Sequence, residues 1–192
     1  MITQEDREKR NQHRAAVIWI TGLPASGKTT TARRLEETLF RMGVQVYALD
    51  GDVLRRGLCK DLGFSETARS ENIRRVGEVC KLFADAGFVV IAAFISPYER
   101  DRRQVREMIG TERFVEVFLD CPPEECARRD PKGHYRAARE GKIRGFTGVD
   151  APYERPLAPE VRIDTQRCSV EDSVSEIIAY LHRSGFLMTK SG

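Results

Sequence analysis

Apolar positions along this chain follow two alternating patterns. Short runs of apolar residues occupy 15–21, 44–49, 88–94, 114–119 and 161–165, nearly unbroken at 88–94 and interrupted by polar residues at Gln45, Glu116, Arg162 and Asp164. Runs of that length, rich in Val, Ile, Leu and Phe, predict parallel strands covered on both faces. Between them the period lengthens to that of a helix: Thr31, Leu35, Leu39 and Met42, then Ile73, Val76, Cys80 and Phe83, and finally Val174, Ile177, Ile178 and Leu181. The charged stretch 99–109 predicts a further helix, and Asp120-Cys121-Pro122-Pro123 opens another with prolines where a first turn tolerates them. Gly43 and Gly87 mark helix ends, while Ser65 or Ser70, and later Ser169, mark helix starts. Strand and helix thus alternate five times. Right-handed crossovers then predict an α/β fold, a parallel five-stranded sheet with helices on both faces.

The first apolar run leads straight into Gly22-Leu23-Pro24-Ala25-Ser26-Gly27-Lys28-Thr29-Thr30. That is the Gly-x-x-x-x-Gly-Lys-Thr spacing of a phosphate-binding P-loop, placed between a strand and a helix as the motif requires. Only a tight turn lets backbone N–H groups wrap a triphosphate, so Gly22, Ala25, Ser26, Gly27 and Thr30 are candidate ATP-binding positions. Lys28 is expected to reach the outer phosphates and Thr29 to offer its hydroxyl to Mg²⁺. The fold is accordingly read as P-loop NTPase-like. The second run ends in Asp50-Gly51-Asp52, two carboxylates at the end of a strand where open α/β sheets bind ligands. An Asx turn capping a short helix is the alternative reading of that pair.

Composition narrows the class. Residues 1–14 read as a polar arm or loose helix, and residues 15–192 as one domain, since no stretch resembles a long linker. The formal charge of +3, set against 32 basic and 29 acidic residues, gives no reason to expect a nucleic-acid partner. No run approaches a membrane span and the N-terminal residues lack an apolar segment, so neither membrane nor secretion is expected. The five cysteines have no Cys-x-x-Cys spacing, which suits reduced thiols in the cytoplasm. Locally, residues 128–144 hold seven Lys or Arg against two acids, a net +5. A basic lid over a phosphate site, about residues 128–150, is the functional reading; a solvated helix pair is the other.

Taken together, the blocks Trp19-Ile-Thr-Gly-Leu23, Leu49-Asp-Gly-Asp52, Leu62-Gly-Phe-Ser65, Ser70-Glu-Asn-Ile-Arg-Arg75, Ala93-Phe-Ile-Ser-Pro-Tyr98, Arg129-Asp-Pro-Lys-Gly133, Phe146-Thr-Gly148 and Ala151-Pro-Tyr-Glu154 resemble the adenylylsulfate kinases. The resemblance implies transfer of the γ-phosphoryl group of ATP, with Mg²⁺, to the 3′-hydroxyl of adenosine 5′-phosphosulfate (APS), a step of sulfate activation. By resemblance, Lys28, Asp52 and Ser96 are the catalytic candidates, with Asp52 orienting the acceptor hydroxyl and taking its proton. Ser96 has been assigned in the family as a phosphoserine intermediate, although nothing near it in sequence supplies a base and direct transfer is the preferred reading. Arg55, Arg69 and Asn72 are implied to hold the phosphosulfate and ribose, Phe64 and Phe146 to sandwich the acceptor adenine, and Ile95, Lys132 and Gly145 to complete that site. Arg129 is implied for the donor nucleotide, and Asp50 for a metal-bound water or a structural role. Arg74 and Arg75 face either the ligand or solvent, and Phe64 has a second reading as a hydrophobic staple before its helix.

The resemblance leaves open a homodimer and an ATP sulfurylase partner. Another small hydroxyl compound as acceptor, or a nucleotide-binding module without turnover, are the alternative functions. Four residues depart from the family pattern: Pro24-Ala25 where it usually has Ser-Gly, Val53 where it has Asn, and Ala68 where it has Asp. Pro24 and Ala25 fall at variable P-loop positions and leave phosphate cradling intact, while Val53 and Ala68 bear on substrate affinity more than on reaction class.

Overall fold

A computed structural model describes residues 1–187. The elements are α1 (Gln4–Asn11), β1 (Ala16–Thr21), α2 (Lys28–Arg41), β2 (Val46–Asp50), α3 (Gly51–Arg56), α4 (Glu66–Asp85), β3 (Val89–Ala93), α5 (Glu99–Ile109), β4 (Phe114–Asp120), α6 (Pro123–Arg129), α7 (His134–Arg139), β5 (Val161–Asp164) and α8 (Val170–Arg183). The five strands are all parallel, in the order β2-β3-β1-β4-β5. Every carboxyl end therefore lies along one edge.

Side chains of β1 alternate between two cores. Ile18 and Ile20 join Leu35 and Leu39 of α2 and Ile177 and Leu181 of α8 on one face. Val17 and Trp19 join Val76 and Cys80 of α4 and Val105 of α5 on the other. This two-sided burial explains why the inner strands are apolar without alternation. Helix α4 lies close against α5 because Gly77 has no side chain: a Cβ there would sit 3.0 Å from a Val105 methyl.

Most of the expected elements stand within two residues of where the pattern puts them, and Ser65, not Ser70, caps α4 through its hydroxyl on the Ala68 N–H. Of the two readings of the N-terminal segment, the helix forms, but it is not loose: α1 is capped by a Thr3–Asp6 box and tied to the body by polar groups, Asn11 to the Gly87 carbonyl and Glu8 to the Ala15 N–H. Hydrophobic pattern cannot show such docking, because α1 has no buried residue. All five cysteines are free, four of them buried. Among the described residues no helix is long and apolar enough to cross a membrane.

Candidate active site

The turn from β1 to α2 builds a phosphate cradle. Gly22 has a φ of +152°, and a Cβ on it would lie 2.7 Å from both the Leu119 carbonyl oxygen and Ser26 Oγ, so no larger residue fits. Gly27, at φ +100°, starts α2 with its N–H groups open toward the edge. Ala25 also sits at positive φ, +61°, where the resemblance placed a glycine in the family pattern. That conformation costs an L-residue roughly 1–2 kcal/mol, so the Ala25 departure carries strain. Lys28 Nζ donates to the carbonyls of Gly22 at 2.9 Å and Leu23 at 2.6 Å. Burial pushes the Lys28 ammonium down to about 8.

This depression has a sign that can be checked. Burial disfavours the charged form, and an incoming triphosphate favours it again. Above pH 8 the free protein should lose the ammonium, so kcat/KM for ATP should fall as pH rises from 8 to 9.5, while kcat, which reports the bound state, stays flat further up the scale. A kcat/KM profile level across that range would show that Lys28 does not titrate there.

Beside the cradle, Asp50 serves two partners. One carboxylate oxygen accepts from the Asp52 N–H at 2.8 Å, making it the cap of α3, and the other accepts from Thr29 Oγ1 at 3.1 Å. The capping reading of Asp50 holds, and its other oxygen faces the P-loop threonine. Asp52 is exposed and meets Lys132 Nζ at 2.5 Å. That contact holds its carboxyl below the usual carboxylate range, so it is ionised at neutral pH. It also ties residue 132 of the basic segment to the end of β2.

Arg69 makes a second tie. Its guanidinium donates to the Phe64 carbonyl, to Thr147 Oγ1 at 2.7 Å and to the Gly145 carbonyl. Arg55 lies over the Phe64 ring, 4.5 Å from its centroid, and donates to the carbonyls of Leu62 and Gly63. Phe64 is 66% exposed, which rules out the staple reading. Phe146 is half-buried and edge-on to Tyr135 at 5.0 Å, so packing claims part of a ring that its polar neighbours had suggested was free. Residues 145–151 form a compact turn in which Asp150 accepts from the N–H groups of Gly145 and Phe146. Arg74 and Arg75 are engaged elsewhere: both pair with Glu71, and Arg75 also grips Asp61. They belong to the ion-paired surface of α4.

Arg129 is fixed flat by Glu125 and by the Thr165 carbonyl, which places it where β5 leads toward α8. Asn72 is 5% exposed, and its Oδ1 meets no hydrogen-bond donor among the described residues. Ile95 is half-buried and Ser96 almost fully so, at 2% exposure and φ +39°. The Ser96 hydroxyl accepts from Trp19 Nε1 at 3.0 Å and donates to Thr21 Oγ1 at 3.1 Å. Among the described residues no carboxylate or imidazole bonds to it. Both its accepting and its donating directions are thus engaged within the fold. Sequence reasoning gave no role to Thr21 and Arg102, which meet this loop, or to Tyr153, which meets Thr21; Thr21 and Tyr153 both lay inside blocks that carried the resemblance.

A family model described as adenylylsulphate kinase matches residues 14–164. The chain is 54% identical over 182 residues to the adenylyl-sulfate kinase of Geotalea uraniireducens, covering 95% of this chain and 88% of that one. It is 51% identical to the adenylyl-sulfate kinase of Staphylococcus epidermidis, with 97% and 94% covered. Its fold is similar to that of the APS kinase of Mycobacterium tuberculosis solved with AMPPNP and APS, at a TM-score of 0.85 and 43% identity, over 88% of this chain and 99% of that one.

Proposed function

The chain belongs to the adenylylsulphate kinase family, and from that premise we propose how its residues carry out the family's reaction. Its activity is transfer of a phosphoryl group from ATP to the 3′-hydroxyl of APS, giving 3′-phosphoadenosine 5′-phosphosulfate and ADP. The observation that carries the residue assignment is convergence at one sheet edge. The P-loop lysine, the Asp50–Thr29 pair, the ionised Asp52 and the two ties to residues 132 and 145–147 stand side by side there.

Phosphoryl transfer asks chiefly for in-line placement and for cancellation of charge. Lys28 and backbone N–H groups among residues 25–30 hold the β- and γ-phosphates. Thr29 and Asp50 offer a hydroxyl and a carboxylate, hard oxygen donors that suit a cation keeping most of its waters, so they would hold Mg²⁺, which supplies charge neutralisation on the phosphates. On the acceptor side, Arg55 and Arg69 hold the phosphosulfate, and the free Oδ1 of Asn72 accepts from a ribose hydroxyl. Asp52 takes the proton of the 3′-hydroxyl. While Lys132 sits on it, Asp52 is a weak base; anionic substrates draw Lys132 away, and loss of that partner raises the basicity of Asp52 when it is needed. Phe64 and Phe146 bracket the acceptor adenine, and Arg129 lies against the donor base. Residues 128–150 act as the lid, and residues 15–192, of which 188–192 lie outside the described residues, form the kinase domain around it.

The aromatic bracket predicts a specific pattern. Phe64→Ala and Phe146→Ala should each raise KM for APS about 5- to 150-fold, the range set by base–aromatic stacking of roughly 1–3 kcal/mol. Because Phe64 is exposed, its loss should leave stability within about 0.5 kcal/mol. Phe146→Ala should also lower the melting temperature through its lost contact with Tyr135. The double variant should be less impaired than the product of the two, since either ring restrains the base for the other. Strictly multiplicative effects on KM would mean the rings do not share one ligand.

The acceptor itself is tested by following ADP release with ATP and Mg²⁺ against APS, shikimate, gluconate and nucleosides. APS should be the acceptor that drives turnover. Equal or faster turnover with another hydroxyl compound would replace the reading.

A further inference from the structure

Three segments that are far apart in sequence meet at one hydroxyl. Thr21 Oγ1, fully buried at the last position of β1, donates to the Ile95 carbonyl at 2.7 Å. Its single proton is thereby used. The two other contacts, Ser96 Oγ at 3.1 Å and Tyr153 OH at 3.0 Å, must therefore donate to it. Upstream, Trp19 Nε1 donates to Ser96 Oγ, so the chain of bonds runs one way, from the indole through both hydroxyls to the Ile95 carbonyl. Burial pushes the Tyr153 phenol up to about 12, and it keeps its proton across the neutral range.

Each segment has a different duty. Thr21 immediately precedes Gly22 of the phosphate cradle. Ile95 and Ser96 form the loop at the acceptor side. Tyr153 begins the segment that leaves the lid, and that segment is zipped to the same loop: Arg102, 1% exposed, donates to the Ser96 and Glu154 carbonyls, and the Glu154 N–H donates to the Pro97 carbonyl. Trp19 is clamped between Phe94 and Phe114, which leaves the donor end of the chain no slack. The left-handed backbone at Ser96 is a conformation that persists only where its surroundings over-determine it.

We propose that Thr21 is a positioning residue for phosphoryl transfer: its hydroxyl, seated by Ser96 and Tyr153, fixes the spacing between the donor-phosphate cradle and the acceptor loop. This rests on the reaction assigned above. Ser96 then acts through Thr21 and touches no reacting atom. A phosphoryl group in flight between two held substrates is sensitive to that spacing, because an error of about 1 Å costs on the order of 10²-fold in rate. A loosened acceptor loop also lets water compete for the phosphoryl group.

The test follows two products from the wild-type enzyme and its variants under saturating ATP, Mg²⁺ and APS: phosphorylated APS and inorganic phosphate. Thr21→Val keeps the shape and removes the hydroxyl. It should lower kcat for transfer roughly 10- to 100-fold, leave KM for ATP within about twofold, and send a larger share of ATP to water. Thr21→Ser, which keeps the hydroxyl, should restore both rate and partition. Wild-type kcat and partition in Thr21→Val would overturn the proposal, and so would a lowered melting temperature with no change in partition, which is what a merely structural bond would give. Should Thr21→Val fail to fold, Ser96→Ala and Tyr153→Phe each remove one of its partners and must shift the same partition; unchanged partition in both overturns the proposal equally. Wild-type enzyme that transfers nothing to APS would instead overturn the assigned reaction, a result separate from these.

Discussion

Lys28→Ala should lower kcat roughly 10³-fold without unfolding the protein. Removing one neutral donor from a developing oxyanion typically costs about 10²–10³-fold, and Lys28 contributes a full charge to phosphates whose negative charge shifts during transfer. The ammonium is spent on the Gly22 and Leu23 carbonyls and is disfavoured by burial. Its removal relieves that desolvation, so the melting temperature should hold or rise. The two measurements together separate chemistry from folding. Near-normal kcat in a folded Lys28→Ala enzyme would sink the P-loop assignment.

Asp52→Asn should lower kcat by at least about 10²-fold, the usual contribution of a positioned general base, with little change in nucleotide affinity. Asparagine keeps the shape of the side chain and the start of α3, where the Asp52 N–H is bound by Asp50. What it loses is the ionised oxygen that now meets Lys132. Because Asp52 is exposed, the substitution removes no packing. A change confined to KM for APS would make Asp52 a binding group and leave the proton without an acceptor among the residues assigned here.

Much of the molecule could be read from its residues because the relevant physics is local. Strands covered on both faces must be mostly apolar, so β1, β3 and β4 announce themselves despite the buried Glu116 of β4; the P-loop does so through glycine spacing. What resisted reading depends on meetings across the chain. Lys132 finds Asp52 and Arg69 finds Thr147 only after the sheet has formed. Nothing near Ser96 in sequence reveals that Trp19 and Thr21 will engage its hydroxyl. Phe146 looked free among polar neighbours until Tyr135 met its edge. The docking of α1 escaped for a related reason, since it relies on Asn11 and Glu8 and buries no apolar side chain.

Direct transfer from ATP to APS, with Ser96 as a fixed hydrogen-bonding group, is tested most directly by the stereochemical course at phosphorus. ATP made chiral at its γ-phosphoryl group is turned over with APS, and the configuration of the 3′-phosphoryl group of the product is determined. A single in-line displacement inverts the centre, and net inversion is the expected result. Net retention would require two displacements and a phosphorylated enzyme, and would contradict the direct path.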